Sequence, residues 1–454
     1  MVLADILPAL MFVAMAVFIF SGYPVAFVLG GVGLAFGMAA VGFDLFNFAR
    51  IGAVYSRIYG GSIENIVLVA IPMFIFMGVM LEKSGIAEDL LYILQILTRR
   101  LPGGLALSVT LLGTILAATT GIIGASVVLL TLMALPVMQS RGYSLPLACG
   151  TIASSGTLGI LIPPSIMLVI MADLMSVPVG TLFLGAIMPG LLLSVLYIVF
   201  ILTVSWIRPS MAPPLPDDVG PRGRELFRLV VKGFVPPVFL IVLVLGSIFA
   251  GIATPTEAAG VGALGATLLA LLNRRLSWAV LKDVCQRAAI TNGMLFGIFV
   301  GATCFSYVFV MLGGHAFVEH LIYSIDDDPW TIMAMIMLVV FFLGFCIDWI
   351  EITLIVLPVF APIIAGLDFG DHVPISSFTV LWFAILLAVN LQTSFLTPPF
   401  GFALFYMKGV APPEVKIQHI YLGIIPFVAL QLIGVGLCIA FPEIVTWLPQ
   451  AVLS

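Results

Sequence analysis

Apolar runs of membrane-crossing length recur from one end of the chain to the other, at 7–20, 24–42, 64–82, 104–120, 122–138, 182–206, 234–252, 256–272, 290–313, 331–347 and 420–441. A crossing helix needs about 20 predominantly apolar residues. The pattern therefore predicts an all-α polytopic membrane protein with ten to twelve spanning helices and some shorter pieces. The first run has no basic segment before it and no clear cleavage site after it, so it is expected to be a retained helix.

Two places break the pattern. Residues 156–165 read GTLGILIPPS and residues 391–401 read LQTSFLTPPFG, each a Pro-Pro pair inside apolar sequence. A Pro-Pro pair removes two backbone donors and pushes the preceding residue out of the helical region. The expected form is a re-entrant helical hairpin over 145–175, with helices 146–156 and 165–175 around a tip at 157–164. Its counterpart is a hairpin over 379–408, with helices 379–390 and 399–408 around a tip at 391–398. Bare backbone is unacceptable in lipid, so such tips belong inside protein or against a watery cavity. At each tip the incoming helix ends in free carbonyls and the outgoing helix begins with free N–H groups. Carbonyls and hydroxyls suit Na⁺, and the N–H end suits a carboxylate. The candidate binding residues are Ser154, Ser155, Gly156, Thr157, Gly159, Pro163, Pro164 and Ser165 at the first break, and Asn390, Gln392, Thr393, Ser394, Thr397, Pro398 and Pro399 at the second. The same Ser and Thr hydroxyls also have a plain structural use, bonding their own helix backbone.

The breaks belong to a longer repeat. SGYPVAFVLGGVGLAFG pairs with IATPTEAAGVGALGATL, IPMFIFMGVMLEKSG with FGIFVGATCFSYVFVMLGG, GASVVLLTLMALPVM with CIDWIEITLIVLPVF, and GTLGILIPPS with LQTSFLTPPFG, in the same order along the chain. The division reads as a first repeat over 1–206, a linker over 207–232 and a second repeat over 233–454. A repeat with an odd number of crossings is inserted upside down the second time, the arrangement of many secondary transporters.

Composition and charge sharpen this. The chain is 62% hydrophobic and 9% charged, against roughly 25% charged in a soluble domain. Lys and Arg are absent from 142–207 and from 288–407, while the linker 207–232 carries five of them. By the positive-inside rule that linker is cytoplasmic. No phosphate-cradling G-x-x-x-x-G-K-[ST] and no H-E-x-x-H occur, and no nucleophile–base set is visible, so an enzyme is not expected. The five cysteines have no metal-ligand spacing, and the four His form no cluster. No basic side chain falls beside either break, so an anion there must be held by helix N-termini and co-bound cations, which predicts cation dependence.

Asp348 and Glu351 stand three apart in apolar sequence. Acids inside a membrane mark ion or proton paths by default, and an interfacial position is the plain alternative. Asp348 is the stronger candidate for an ion ligand. Glu257, in the first turn of a helix after Thr254 and Thr256, is explained by the helix dipole alone.

SGYPVAFVLG at 21–30, IPMFIFMGVMLEKSGIAEDL at 71–90, GTLGILIPPS at 156–165, GIATPTEAA at 251–259, IDWIEITLIVLPVFAPI at 347–363 and TPPFGFALFYM at 397–407 together resemble the large membrane subunit of tripartite ATP-independent periplasmic (TRAP) transporters. The resemblance implies an elevator-type transporter in a bacterial inner membrane, with a scaffold and a mobile transport domain carrying both hairpins. It implies Na⁺ as the coupling ion and no other cofactor, with Na⁺ candidates Ser155, Gly156, Asp348, Thr393 and Thr397. It implies a small four-helix membrane subunit, expected as a separate chain, and a periplasmic substrate-binding protein that delivers an organic acid. Besides these and the lipid bilayer, no nucleic-acid partner is expected. Stretches 85–100 and 276–289 are candidates for interfacial arm helices. The alternative is a stand-alone ion-coupled carboxylate transporter of related two-hairpin architecture.

Overall fold

The computed structural model describes residues 2–120, 123–215, 220–221, 223–345, 347–398 and 401–453. Cys346 and Pro399 lie outside the described residues. Ten α-helices precede the linker: α1 (Val2–Phe20), α2 (Val25–Gly42), α3 (Phe48–Ile58), α4 (Ala70–Lys83), α5 (Ile86–Thr98), α6 (Gly104–Thr120), α7 (Ile123–Ser140), α8 (Leu145–Thr157), α9 (Ile166–Leu174) and α10 (Val179–Ile207). The linker carries α11 (Arg224–Gly233). Then follow α12 (Val235–Phe249), α13 (Pro255–Leu272), α14 (Trp278–Met311), α15 (Gly314–Tyr323), α16 (Pro329–Leu343), α17 (Trp349–Ala365), α18 (Ser376–Leu396), α19 (Phe402–Val410), α20 (Ile417–Ala440) and α21 (Glu443–Leu453). Among the described residues there is no strand.

Local chemistry starts several of these helices. The Thr254 hydroxyl accepts from the Glu257 N–H while the Glu257 carboxylate accepts from the Thr254 N–H, a reciprocal cap that opens α13. Asp328 caps α16 by accepting from the Thr331 N–H at 2.9 Å, and Ser277 caps α14 by accepting from the Val280 N–H at 3.2 Å. Each cap satisfies donors that have no partner within the helix. Between α3 and α4 the chain is bent by 52°, through a π-helical turn (Tyr59–Ile63) and a 3₁₀ turn (Val67–Val69).

Eight described helices are long and apolar enough to cross a membrane, or nine if the bent pair over 48–83 is one crossing. This is fewer than the ten to twelve expected, because runs such as 104–120 and 331–347 form shorter apolar helices or end early. The stretch 276–289 is not a separate interfacial arm. It is the first part of α14, which continues unbroken for 34 residues. α5 does stand alone within 85–100, with one face buried.

The first Pro-Pro segment breaks where expected and the second breaks later, but neither folds back as a re-entrant hairpin. α10 is 29 residues long, about 43 Å at the helical rise. The Ser144 N–H, just before α8, donates to the Met211 carbonyl at 2.9 Å, just beyond the C-terminus of α10. α9 ends at Leu174, beside the N-terminus of α10 at Val179. The segment 145–175 therefore runs the length of α10 as one crossing broken at its middle. The second segment does the same along α20. The Trp382 indole N–H donates to the Cys438 carbonyl at 2.8 Å, near the C-terminus of α20. At its other end Lys408 donates to the Val415 carbonyl at 2.7 Å, next to the N-terminus of α20.

The segments that turn back are neighbours of these. The Gly103 N–H donates to the Ala212 carbonyl at 2.9 Å, and the Leu105 N–H to the Tyr143 hydroxyl at 3.1 Å. α6 and α7 thus enter and leave at the linker end. Trp330, at the start of α16, packs edge-on against His372, beyond α17, with ring centroids 4.9 Å apart. His372 in turn bonds the Ile439 carbonyl at 2.7 Å, so α16 and α17 enter and leave at the far end.

Glycine permits the close contacts that hold this arrangement. A Cβ on Gly150 of α8 would collide with the Gly423 carbonyl of α20, and one on Gly301 of α14 with the Ala26 carbonyl of α2. α2 packs along α14, α13 along α4, α8 along α20 and α18 along α10.

Two outcomes are expected. Single cysteines at Ser140 and Ser176, probed with a membrane-impermeant maleimide in oriented vesicles, label from opposite sides; a re-entrant hairpin over 145–175 would place both on one side. Gly150→Val destabilises the detergent-solubilised protein by about 2 kcal/mol, the usual cost of overpacking, in a thermal-melt assay, whereas Gly293→Ala, inside α14 where a Cβ meets nothing within 4 Å, does not lower the melt, Ala being the better helix former.

Candidate functional site

The first break is almost wholly buried. α8 passes into a 3₁₀ turn at Leu158–Ile160, and Pro163 and Pro164 follow, joined by a cis peptide. Ser165 is extended (φ −120°, ψ 133°) and its hydroxyl donates to the Ile160 carbonyl at 2.6 Å, within the loop that Gly159 and the prolines form. Ser154 donates to the Thr151 carbonyl at 3.2 Å and Thr157 to the Ser154 carbonyl at 2.9 Å. Ser155 reaches outward instead, donating to the Thr110 hydroxyl of α6 at 3.3 Å. Gly156 sits so close to Val127 of α7 that a Cβ would collide with it.

The second break falls later than expected. Asn390, Gln392, Thr393 and Ser394 lie within α18, which continues to Leu396. Nothing in 391–396 breaks a helix. Thr397 is the first extended residue (φ −88°, ψ 124°), as the following Pro398 requires. Gly401 then takes φ +40° to turn the chain into α19, a conformation that favours glycine. Thr393 donates to the Val389 carbonyl at 3.0 Å, Ser394 to Leu391 at 2.8 Å and Thr397 to Thr393 at 2.8 Å. These hydroxyls have the plain structural use, yet each keeps lone pairs, since only its proton is engaged. The Asn390 amide donates to the Met337 carbonyl of α16 at 2.7 Å.

The two breaks touch. The Gln392 amide N–H donates to the Thr157 hydroxyl at 3.3 Å, and the Gln392 Oε1 is buried without a partner. Beside them is a cavity of about 340 Å³. Its wall includes Ile123 of α7, Ile166 of α9, Trp349 of α17 and Phe402 of α19. Ile166, Trp349 and Phe402 are each the first residue of their helix, so three helix N-termini, with their partial positive charge, converge on one space. Thr291, Met294 and Leu295 of α14 close another side. No Lys or Arg lines it.

Of the described residues singled out from the sequence, Asp348 alone lines this cavity. Its carboxylate accepts from the Trp349 N–H at 2.9 Å, and its own N–H donates to Glu351 Oε2 at 3.2 Å. The D-x-x-E spacing is thus a reciprocal cap on α17, a signal readable in the sequence as helix-start chemistry. Residues not anticipated are Ile123, Thr291 and Tyr406. Tyr406 stands in the TPPFGFALFYM stretch, and its ring packs on Gly124.

A family model described as "Tripartite ATP-independent periplasmic transporter, DctM component" matches residues 12–444. The chain belongs to this family. It is a multi-pass membrane subunit of a TRAP transporter, and not an enzyme. The isethionate TRAP transporter permease protein DctMQ of Oleidesulfovibrio alaskensis is 30% identical over 94% of this chain, which spans 64% of that relative's length. The C4-dicarboxylate TRAP transporter large permease DctM of Pseudomonas aeruginosa is 29% identical over 76% of this chain and 78% of its own length. The sialic acid TRAP transporter large permease SiaM of Vibrio cholerae is 26% identical over 96% of this chain and 97% of its own. Among solved structures, the YdaH transporter of Alcanivorax borkumensis superposes with a TM-score of 0.59 at 13% identity over 86% of both chains, a likeness of fold.

Asp348→Asn keeps the cap, because Asn accepts the same N–H bonds, and leaves the thermal melt within about 0.5 kcal/mol of the parent; Asp348→Ala loses it and costs about 1 kcal/mol. Equal melts for the two variants would show that the cap contributes nothing.

Proposed function

We propose that this TRAP subunit imports an organic acid by Na⁺-coupled secondary transport. The observation that carries the reading is the convergence of three helix N-termini on one cavity that, among the described residues, no basic side chain lines. Such a space suits a carboxylate, held by backbone N–H groups. The relatives are named for isethionate, C4-dicarboxylate and sialic acid, all organic anions. Asp348 already places one negative charge on the cavity wall, so a bound carboxylate needs a neutralising cation nearby. Lone pairs of Ser155, Thr393 and Thr397, the Gly156 carbonyl and the Asp348 carboxylate are the candidate Na⁺ ligands, and the orphaned Gln392 Oε1 is a further acceptor in that region.

The two-repeat reading is supported by reciprocal packing: α2 lies on α14 as α13 lies on α4, and α9 lies on α17 as α19 lies on α7. In this reading the re-entrant hairpins are α6–α7 and α16–α17, and the Pro-Pro segments are discontinuous crossings. α6–α10 and α16–α21 form the moving transport domain, and α1–α5 with α12–α15 form the scaffold. The linker end faces the cytoplasm across a bacterial inner membrane. A small four-helix subunit and a periplasmic binding protein complete the system.

Uptake into liposomes tests this, with the chain, its small partner and candidate binding proteins supplied together under an imposed Na⁺ gradient. Uptake is expected only with all components and Na⁺; uptake by the chain alone favours a stand-alone carrier, and uptake indifferent to Na⁺ overturns the coupling. Ser155→Ala and Thr397→Ala each raise the Na⁺ concentration for half-maximal uptake about fivefold, the effect of losing one neutral ligand worth ~1 kcal/mol. Unshifted values in both would remove these hydroxyls from the ion sites.

A further inference from the structure

A second cavity, of about 410 Å³, lies further along the same cleft. Three helices trace the path between the two. The first cavity touches α9 at Ile166, α14 at Thr291–Leu295 and α17 at Asp348–Ile350. The second touches α9 at Asp173, α14 from Phe299 to Met311 and α17 at Leu354 and Pro358. Every helix is met later in its sequence, so the second cavity is displaced toward the end opposite the linker. On α9 the displacement is seven residues, about 10 Å along the helix axis.

This cavity holds what the first lacks, a fixed cation. Arg57 of α3 lies over the Tyr307 ring, its guanidinium carbon 5.9 Å from the centroid. Tyr307 is itself anchored, its hydroxyl donating to the Arg50 carbonyl at 3.1 Å. The bend beyond α3 is pinned on both sides. Ser62 and Thr303 hydroxyls are 3.5 Å apart, and Thr256 donates to the Ile66 carbonyl at 2.9 Å. Asn65 accepts from the Val67 N–H at 3.0 Å and donates to Asp173 Oδ1 at 2.8 Å. Asp173, the one carboxylate of the cavity wall, is thereby bonded to Asn65, and Arg57 faces the space together with the hydroxyl-bearing Thr303 and Ser306.

We propose that this second cavity is a separate binding station for a carboxylate, with Arg57 as the residue that takes the carboxylate and Thr303 and Ser306 as supporting donors. A guanidinium on an aromatic face, with its donor edge free to fork, is suited to bidentate carboxylate binding. The station stands at the far end of the cleft, before the cavity built of helix N-termini. It rests on the transport reading for its purpose, but its occupancy does not require transport.

The test is site-directed labelling. Val310→Cys, on the cavity wall, is placed in a chain whose five native cysteines are replaced by Ser or Ala, and the purified full chain is treated with a water-soluble maleimide. Succinate, pyruvate and gluconate serve as probes. At least one probe is expected to slow labelling in the presence of Na⁺. Arg57→Gln raises the half-protecting concentration about tenfold, the loss of one charge-assisted contact of ~1.4 kcal/mol, Arg57→Lys recovers part of it, and Arg50→Gln, which removes a charge of the same helix outside the cavity wall, leaves protection in place. Three results overturn the station: protection by none of the probes, no labelling of the cysteine at all, or protection that survives Arg57→Gln. Because the readout is binding, a failure of Na⁺-driven uptake in liposomes counts against the transport reading and leaves this outcome independent.

Discussion

A helix that stops inside an apolar slab must have its loose backbone groups met by protein or water, and this constraint organises the molecule. The loop at 158–165 is buried except for a partly exposed Ile162. Its carbonyls and N–H groups are enclosed by α6, α10 and α18, which pack around it. Close approach of those helices then requires positions without a Cβ, hence Gly113 against Ser155 and Gly190 against Ile162. The cavity left beside the breaks is faced by the N-terminal ends of α9, α17 and α19. The same demand that makes broken helices costly thus concentrates their electrostatic ends in one place.

The existence of both breaks was legible because proline acts through local chemistry. Their topology was not. A stretch of about thirty residues with a break in its middle has the same length whether it turns back or crosses at an angle. What decides is which partners its two ends find, here Met211 for Ser144 and Cys438 for Trp382. Those contacts are distant in sequence and leave no local signature. The turn between α16 and α17 is marked more weakly, by Gly344. The late end of α18 has the opposite cause. Polar side chains at Asn390 to Ser394 read as a tip, yet Ser and Thr can bond back to their own helix and leave it intact.

Asp348 and Glu351 show how one pair of residues carries two readings at once. A D-x-x-E pair opening a helix is a cap by geometry, and both halves of that cap are formed. A cap consumes acceptor capacity on Asp348 only in part, since a carboxylate has about four lone-pair sites. The structural role therefore fixes the carboxylate at the cavity wall, where the proposed role as an ion ligand would need it.

The sign of the charges leads from that geometry to the proposed coupling. At an effective dielectric of about 20, two carboxylates about 6 Å apart repel by ~3 kcal/mol. Three helix N-termini, each equivalent to roughly half a positive charge, offset part of this, but the N-terminus of α17 is already engaged by Asp348 itself. Without a Lys or Arg in the wall, the remaining deficit must be met by a mobile cation. A fixed cation would hold the anion equally in every state of the transporter, whereas a mobile one binds and leaves with its cargo. On this argument the empty stretches in the Lys and Arg distribution, 142–207 and 288–407, are what makes an ion gradient able to drive the anion.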